Sequence, residues 1–113
     1  MHMELKKFYT GQIATTAKTT VYTVPEKNGP SVIKEMLIHN TDSAHTVIVN
    51  IYFSGFEFIR EKVEPGGILY VGDDWHTVLN PGEKVEIICS RAAVINVHLS
   101  GSETYPAKIE SNL

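Results

Sequence analysis

The sequence has one cysteine and no long hydrophobic run, and each scarcity excludes a class of protein. The single cysteine, Cys89, excludes an internal disulfide and a zinc site built from cysteines. No apolar run reaches the ~18 to 20 residues that span a bilayer, and the first ten residues contain no apolar segment typical of a signal peptide. We therefore expect no membrane partner, synthesis in the cytoplasm, and a buried, unreactive Cys89.

Basic residues are also few and scattered along the chain. Ten Lys and Arg against thirteen Asp and Glu leave a formal net charge of -3, with no basic cluster that would follow a phosphate backbone. We therefore expect no direct nucleic-acid partner. The 113 residues, 42% hydrophobic and 20% charged, suit one globular domain. We predict that this domain covers residues 1–103 and that residues 104–113 form an extended tail.

Short segments of alternating apolar and polar residues fill most of the chain, and turn residues separate them. The predicted strands before the C-terminal third are residues 8–14, 19–24, 32–40, 46–53, 56–63 and 68–71. The clearest alternation places Val47, Val49, Ile51 and Phe53 on one side of a strand. Because residues 41–44 read as a turn, we expect the strands on either side of them to form a central hairpin.

The C-terminal third, residues 78–103, predicts a second hairpin. Two further strands are expected there, one burying Val85, Ile87 and Cys89 and the other burying Ile95, Val97 and Leu99. No segment longer than ten residues shows the spacing of an amphipathic helix. The pattern therefore predicts an all-β fold, an antiparallel and jelly-roll-like β-sandwich of about eight strands.

Catalytic and metal-binding patterns are scarce. No serine lies in a Gly-x-Ser-x-Gly turn, and no glycine-rich phosphate loop precedes a helix. A metal site would have to be built from His39, His45 and His98, which are more simply explained as hydrogen-bonding or solvent-facing side chains. We expect no enzymatic activity, no metal and no cofactor.

One polar loop stands out because it contains the only tryptophan. Asp73, Asp74, Trp75 and His76 follow a glycine, and carboxylates beside an aromatic ring are typical of sugar sites. A calcium site is less well supported, since two adjacent aspartates supply few of the six or more oxygens that calcium takes. The alternative is a solvated loop with a half-buried Trp75.

Several apolar residues have the parity opposite to that of the predicted core. These candidates for an oligomer interface are Leu37, Ile48, Tyr52 and Ile88. In an isolated monomer such positions are usually polar, so either the chain's own loops cover these side chains or a second subunit does. We favour a homo-oligomer, a trimer or a ring.

Four segments in a particular order resemble small β-sandwich structural proteins of tailed bacteriophages and prophages. They are TVYTVP from residue 20, IHNTD from residue 38, LNPGE from residue 79 and the strand at residues 94–101. This resemblance spans roughly residues 11–103. It implies a virion component of the head, neck or tail, with other virion proteins as partners.

Two classes of function follow from these observations. One is a non-enzymatic virion structural or decoration protein, and the other is a carbohydrate-binding β-sandwich module for host attachment. The ring of Trp75 distinguishes them, because a sugar site needs it exposed beside polar groups whereas a structural subunit should bury it.

Overall fold

The fold consists of β-strands joined by turns and loops. The computed structural model describes residues 2–72 and 75–106; Asp73, Asp74 and residues 107–113 of the predicted tail lie outside these ranges. The strands are β1 (His2–Ile13), β2 (Thr19–Thr23), β3 (Ser31–Asn40), β4 (Val47–Phe53), β5 (Phe56–Val63), β6 (Ile68–Val71), β7 (Thr77–Leu79), β8 (Lys84–Cys89) and β9 (Ile95–Tyr105).

Two antiparallel sheets pack face to face. The first, called sheet one, has the order β1-β9-β3, and β6 and β7 pair one after the other with the far side of β3. The second, sheet two, has the order β2-β8-β4-β5. The prediction of an all-β, jelly-roll-like sandwich is confirmed, with nine strands in the described residues rather than about eight. The extra strand is β7, whose three residues are too short to show an alternation.

Both predicted hairpins are wrong. β3 lies in sheet one and β4 in sheet two, and in the same way β8 and β9 lie in different sheets. After β3, the backbone N–H of Thr41 donates to the carbonyl of Val94 at 2.8 Å, which extends the pairing of β3 with β9 by one residue. The chain then crosses, and β4 begins in the other layer. A strand with one apolar face can pair with the next strand in the same sheet, or it can lie in the opposite sheet and pack against that strand. The alternation of apolar and polar residues is the same in both arrangements, so it does not predict which one forms.

One hairpin does join consecutive strands, between β4 and β5. Its two loop residues, Ser54 and Gly55, have φ angles of 55° and 85°, the left-handed pair that a tight two-residue hairpin loop requires. This loop lies where the sequence predicts a break between two strands. It makes β5 the edge strand of sheet two.

The core lies between the sheets and follows the predicted parity. In β4 the side chains of Val47, Val49, Ile51 and Phe53 are buried, and Cys89 of β8 is fully buried beside them. The C-terminal residues predicted to face inward are also buried: Val85, Ile87, Ile95, Val97 and Leu99. The alternation in the sequence therefore identified the inner faces correctly.

The sandwich extends past the predicted boundary at residue 103. Strand β9 continues through Thr104 and Tyr105, which pair with Met3 and His2 of β1. Thr104 is buried, and its carbonyl accepts a hydrogen bond from the backbone N–H of Gly29 at 2.8 Å. The predicted tail therefore begins at least two residues too early. The polar composition of the C-terminal residues predicts a tail. Thr104 and Tyr105 nevertheless form part of a strand, because the start of β1 pairs with them.

A buried asparagine fixes the passage from sheet one to sheet two. The amide nitrogen of Asn40, at the end of β3, donates to the carbonyls of His45 and Val63 at 2.8 and 3.0 Å. Its amide oxygen accepts from the backbone N–H of Asp42 at 2.9 Å. Its backbone N–H and carbonyl bond to Gly67 and Gly66, both at 3.0 Å. One fully buried residue thus holds the start of β4, the end of β5 and the turn before β6.

We predict that Val49→Asp prevents folding. Val49 is fully buried in the middle of β4, and an unpaired carboxylate there costs several kcal/mol, a large share of the stability of a small domain. The matched control is Ile48→Asp, the neighbouring residue, which faces outward and lies opposite Lys62. Circular dichroism and thermal melting should show an unfolded first variant and a folded second one. Equal stability of the two would show that the parity of β4 is wrong.

Candidate functional site

The predicted interface residues lie on two different surfaces. Ile48 and Tyr52 of β4 and Ile88 of β8 share the outer face of sheet two, and Ile88 lies between them opposite Asn50. Leu37 of β3 lies on the outer face of sheet one, on the other side of the molecule. The four residues therefore do not form one patch. Parity alone separates inward from outward, and it does not tell which sheet a strand joins.

The outer face of sheet two is partly covered by the chain itself. The ammonium group of Lys18 lies 4.2 Å from the centre of the Tyr52 ring, a cation–π contact. Tyr52 and Ile88 are half-buried, while Ile48 remains 40% exposed. This face therefore offers a small apolar surface around Ile48 rather than a large continuous one.

The histidines considered for a metal site do not come together. His98 and His39 line one shallow groove on the outer face of sheet one, where His98 bonds to the Thr10 hydroxyl at 2.7 Å. His45 lies in the loop after β3, with its ring nitrogen 3.1 Å from a carboxylate oxygen of Asp42. Within the described ranges, no three His, Cys, Asp or Glu side chains form a group that would hold a metal ion.

Trp75 lies beside an apolar groove at one open side of the sandwich. Its ring meets that of Phe53 edge to face, with 5.9 Å between ring centres and 76° between planes. The groove, about 300 Å³ in volume, is lined by Phe53, Phe58, Ile59, Trp75 and Thr77. Trp75 is 36% exposed, and its ring both contacts Phe53 of the core and lines the groove. His76 is exposed next to it.

The groove includes Phe58 and Ile59, which the sequence pattern does not single out. Between β4 and β5 the register shifts, so that Ile51 pairs with Ile59 but Tyr52 pairs with Glu57. Phe58 is the extra residue of this bulge, and its ring turns toward Phe53 at a centre-to-centre distance of 6.0 Å. In the sequence, Phe58 stands out only because it is an aromatic residue on the same parity as the charged Arg60. The bulge that directs its ring toward Phe53 has no sequence pattern of its own.

The opposite side of the sandwich is closed. Phe8 is likewise a bulged residue of β1, and it stacks on Tyr22 of β2 with ring centres 4.0 Å apart. Next to this stack, the buried carboxylate of Glu103 accepts hydrogen bonds from the hydroxyls of Tyr22 and Tyr105, at 2.6 and 2.7 Å. The ammonium group of Lys6 lies 3.4 Å from the same carboxylate.

The network around Glu103 sets the ionisation of its members. Burial raises the pKa of Glu103, but hydrogen bonds from Tyr22 and Tyr105 and the nearby charge of Lys6 outweigh burial and hold it below its usual value. The pKa of Tyr22 is raised, first by burial and then by its bond to Glu103. These groups hold a carboxylate in place between the sheets. They do not contain a nucleophile with an adjacent base.

Comparison with known proteins supports the fold. The sequence matches no family model and no curated protein. In fold, the chain is similar to a chain of the T13 viral particle of infectious bursal disease virus, with a TM-score of 0.59 and 11% sequence identity. The similar region covers 92% of this chain and 31% of the viral chain, so this chain spans less than a third of that chain's length.

A second similar structure comes from the Gt strain of infectious bursal disease virus. It shares 18% identity over 90% of this chain and 29% of that chain, with a TM-score of 0.29, which is too low to support an argument. At these identities the likeness shows a shared β-sandwich fold alone. In the described part of the chain, no helix is long and apolar enough to cross a membrane.

We predict that acid weakens the fold partly through Glu103. Because its pKa is lower in the folded state, ionised Glu103 contributes stability above its unfolded pKa, near 4.5. That contribution is lost as the pH falls through the lower, folded pKa. Melting temperatures measured from pH 6 down to pH 3 should therefore fall less steeply for Glu103→Gln than for the wild type. Glu61→Gln, at an exposed position of β5, is the control and should follow the wild type. Parallel curves for all three proteins would contradict this role.

Proposed function

We propose that this chain is a non-enzymatic structural component of a virus particle that acts by assembling with copies of itself and with other virion proteins. The observation that supports this best is the similarity of nearly the whole chain to part of a chain in the T13 particle of infectious bursal disease virus. A β-sandwich is also used by many unrelated proteins, so the proposal depends on assembly as well as on the fold.

The finer assignment is to a tailed bacteriophage or prophage, as a head decoration, neck or tail component. It is supported by the order of four sequence segments, including IHNTD around Asn40 and LNPGE before β8. In the structure, the segment IHNTD contains Asn40, whose side chain stabilises the crossing between the two sheets. The protein would be made in the host cytoplasm and incorporated into the virion.

The carbohydrate-binding alternative would use the groove beside Trp75. The open side of the Trp75 ring favours it, because sugars stack on exposed aromatic rings. The groove offers few polar groups that could form hydrogen bonds with a sugar, and this weakens the carbohydrate-binding alternative. Among the described residues that line the groove beside Phe53, the polar side-chain groups are the Thr77 hydroxyl and the Trp75 indole N–H, whereas a sugar needs several convergent hydrogen bonds. The groove suits an apolar side chain of a neighbouring subunit better.

The location of the chain is tested by immunogold labelling of purified particles from the virus or induced prophage that encodes it. We expect gold at one defined position, on the head, neck or tail, and no gold on particles from a deletion mutant. Negative-stain microscopy would show the position directly. Particles that lack the chain, while it remains in the soluble fraction of the lysate, would contradict a role in the virion.

We predict that a trimer or ring would be held by the outer face of sheet two. Replacing both Ile48 and Tyr52 with Lys should dissociate it, because interfaces lose affinity when apolar anchors become charged. Leu37→Lys, on the outer face of sheet one, is the comparison and should leave the assembly intact. Light scattering coupled to gel filtration measures the mass of each protein. A wild-type chain that is already monomeric at high concentration would refute the prediction.

A further inference from the structure

The N-terminal half of β1 is a sheet edge that no strand of the described residues covers. β1 pairs with β9 on one side, and within the described ranges no strand pairs with its other side. Its backbone N–H and C=O groups on that side are therefore free to pair with another strand. The regular part of the edge is residues 2–7, since the bulge at Phe8 interrupts the ladder.

This edge also carries the most exposed large apolar side chain among the described residues. Leu5 is 79% exposed, and Met3, two residues before it, is 56% exposed. Alternating residues of a strand point to opposite faces, so Met3 and Leu5 share one face and Glu4 and Lys6 share the other. Lys6, Lys7 and the bulge at Phe8 limit pairing of this edge with arbitrary strands, so a partner strand must supply opposite charges as well as an apolar contact.

We propose that the edge of β1 pairs antiparallel with β1 of a second copy, about a two-fold axis through Leu5. The proposal goes beyond the proposed virion function and does not depend on it, because it rests only on this edge. In such a contact the two copies of sheet one become one continuous sheet, and the same residues contribute from both sides.

Charge complementarity selects both the partner and the register. With Leu5 opposite its own copy, Glu4 of each chain lies opposite Lys6 of the other, which gives two pairs of opposite charge beside a central apolar pair. A centre at Glu4 would oppose two carboxylates, and a centre at Lys6 or Lys7 would oppose two ammonium groups. A centre at Met3 would leave only residues 2–4 of the described edge paired.

The intrachain contacts of these residues are compatible with the pairing. Lys6 lies 3.4 Å from Glu103 of the neighbouring β9, and the carboxylate of Glu4 lies 2.9 Å from the His2 ring on the same strand. Both side chains are more than half exposed, so each can still meet a charge of the second copy. Lys6 would then lie between its own Glu103 and Glu4 of the second copy. The regular edge ends at the Phe8 bulge, which limits the contact to a short ladder.

A disulfide trap tests the register directly. Residues opposite each other in an antiparallel pair have Cβ atoms about 4.5–5.5 Å apart, close enough for a disulfide after a small adjustment. Leu5→Cys should therefore form a covalent dimer on mild oxidation, seen by non-reducing gel electrophoresis. The native Cys89 does not interfere, because it is buried and burial raises the pKa of its thiol to about 11.

Two controls make the trap specific. Met3→Cys lies on the same face but opposite Lys7 of the second copy, and Ile68→Cys has a similar exposure, 66%, on the edge strand β6. Neither should form a dimer at the rate of Leu5→Cys. Equal rates for all three variants, or a Leu5→Cys variant that stays monomeric, would overturn the proposal.

A charge-swap experiment tests the pairing without a covalent bond. Glu4→Lys and Lys6→Glu each place like charges opposite each other, and both are made in the background of Ile48→Lys and Tyr52→Lys so that the outer face of sheet two does not contribute. Each variant alone should then self-associate about tenfold or more weakly than that background protein in sedimentation equilibrium. Mixing the two variants should restore association. In a mixed pair, both charged positions are lysine in one chain and glutamate in the other, so opposite charges face each other again. A mixture that associates no better than its components would refute the register.

The same trap separates this contact from the proposed virion assembly. In the variant with Lys at positions 48 and 52, the outer face of sheet two is altered but the edge of β1 is unchanged. Leu5→Cys in that background should still form a covalent dimer. Loss of the dimer there would show that pairing of β1 depends on the outer face, and would overturn the independent edge contact.

Discussion

The buried amide of Asn40 is the constraint on which the two-layer architecture depends. The chain changes sheets at this point, and the backbone carbonyls buried around the crossing need hydrogen-bond donors. The Asn40 side chain satisfies those of His45 and Val63, while its backbone holds the turn at Gly66 and Gly67. Leaving such groups buried without partners costs about 1–3 kcal/mol each. One side chain thus makes the crossing compatible with a closed core.

The two long sides of the sandwich differ in how the space between the sheets is closed. On the side of β1 and β2, the stack of Phe8 on Tyr22 and the buried Glu103 close the space between the sheets. On the side of β5, the bulge turns Phe58 toward Phe53 and leaves a groove beside Trp75. In both places an extra residue in an edge strand directs an aromatic ring to a position that regular pleating would not give it.

The proposed structural role in a particle agrees with the placement of charged and apolar side chains in the described residues. Among the described residues, the buried carboxylate of Glu103 is used in a local network with Tyr22 and Tyr105. The exposed apolar residues of the chain lie on separate surfaces, which include the face around Ile48, the groove, the edge of β1 and the outer face of sheet one at Leu37. Several distinct contact surfaces on one small domain are what an assembly needs, because each subunit must meet more than one neighbour.

The sequence by itself determined the fold class, the approximate strands and their inner faces. The burial of Val49 could be predicted because side chains alternate between the two faces of a strand, and this local pattern is visible in the sequence of one strand alone. Tertiary structure decided which strands lie side by side. It separated Leu37 from Ile48, replaced two predicted hairpins by crossings between sheets, and extended β9 to Tyr105. These outcomes depend on contacts between residues distant in sequence, such as Thr41 with Val94 and Tyr22 with Glu103, which periodicity does not encode.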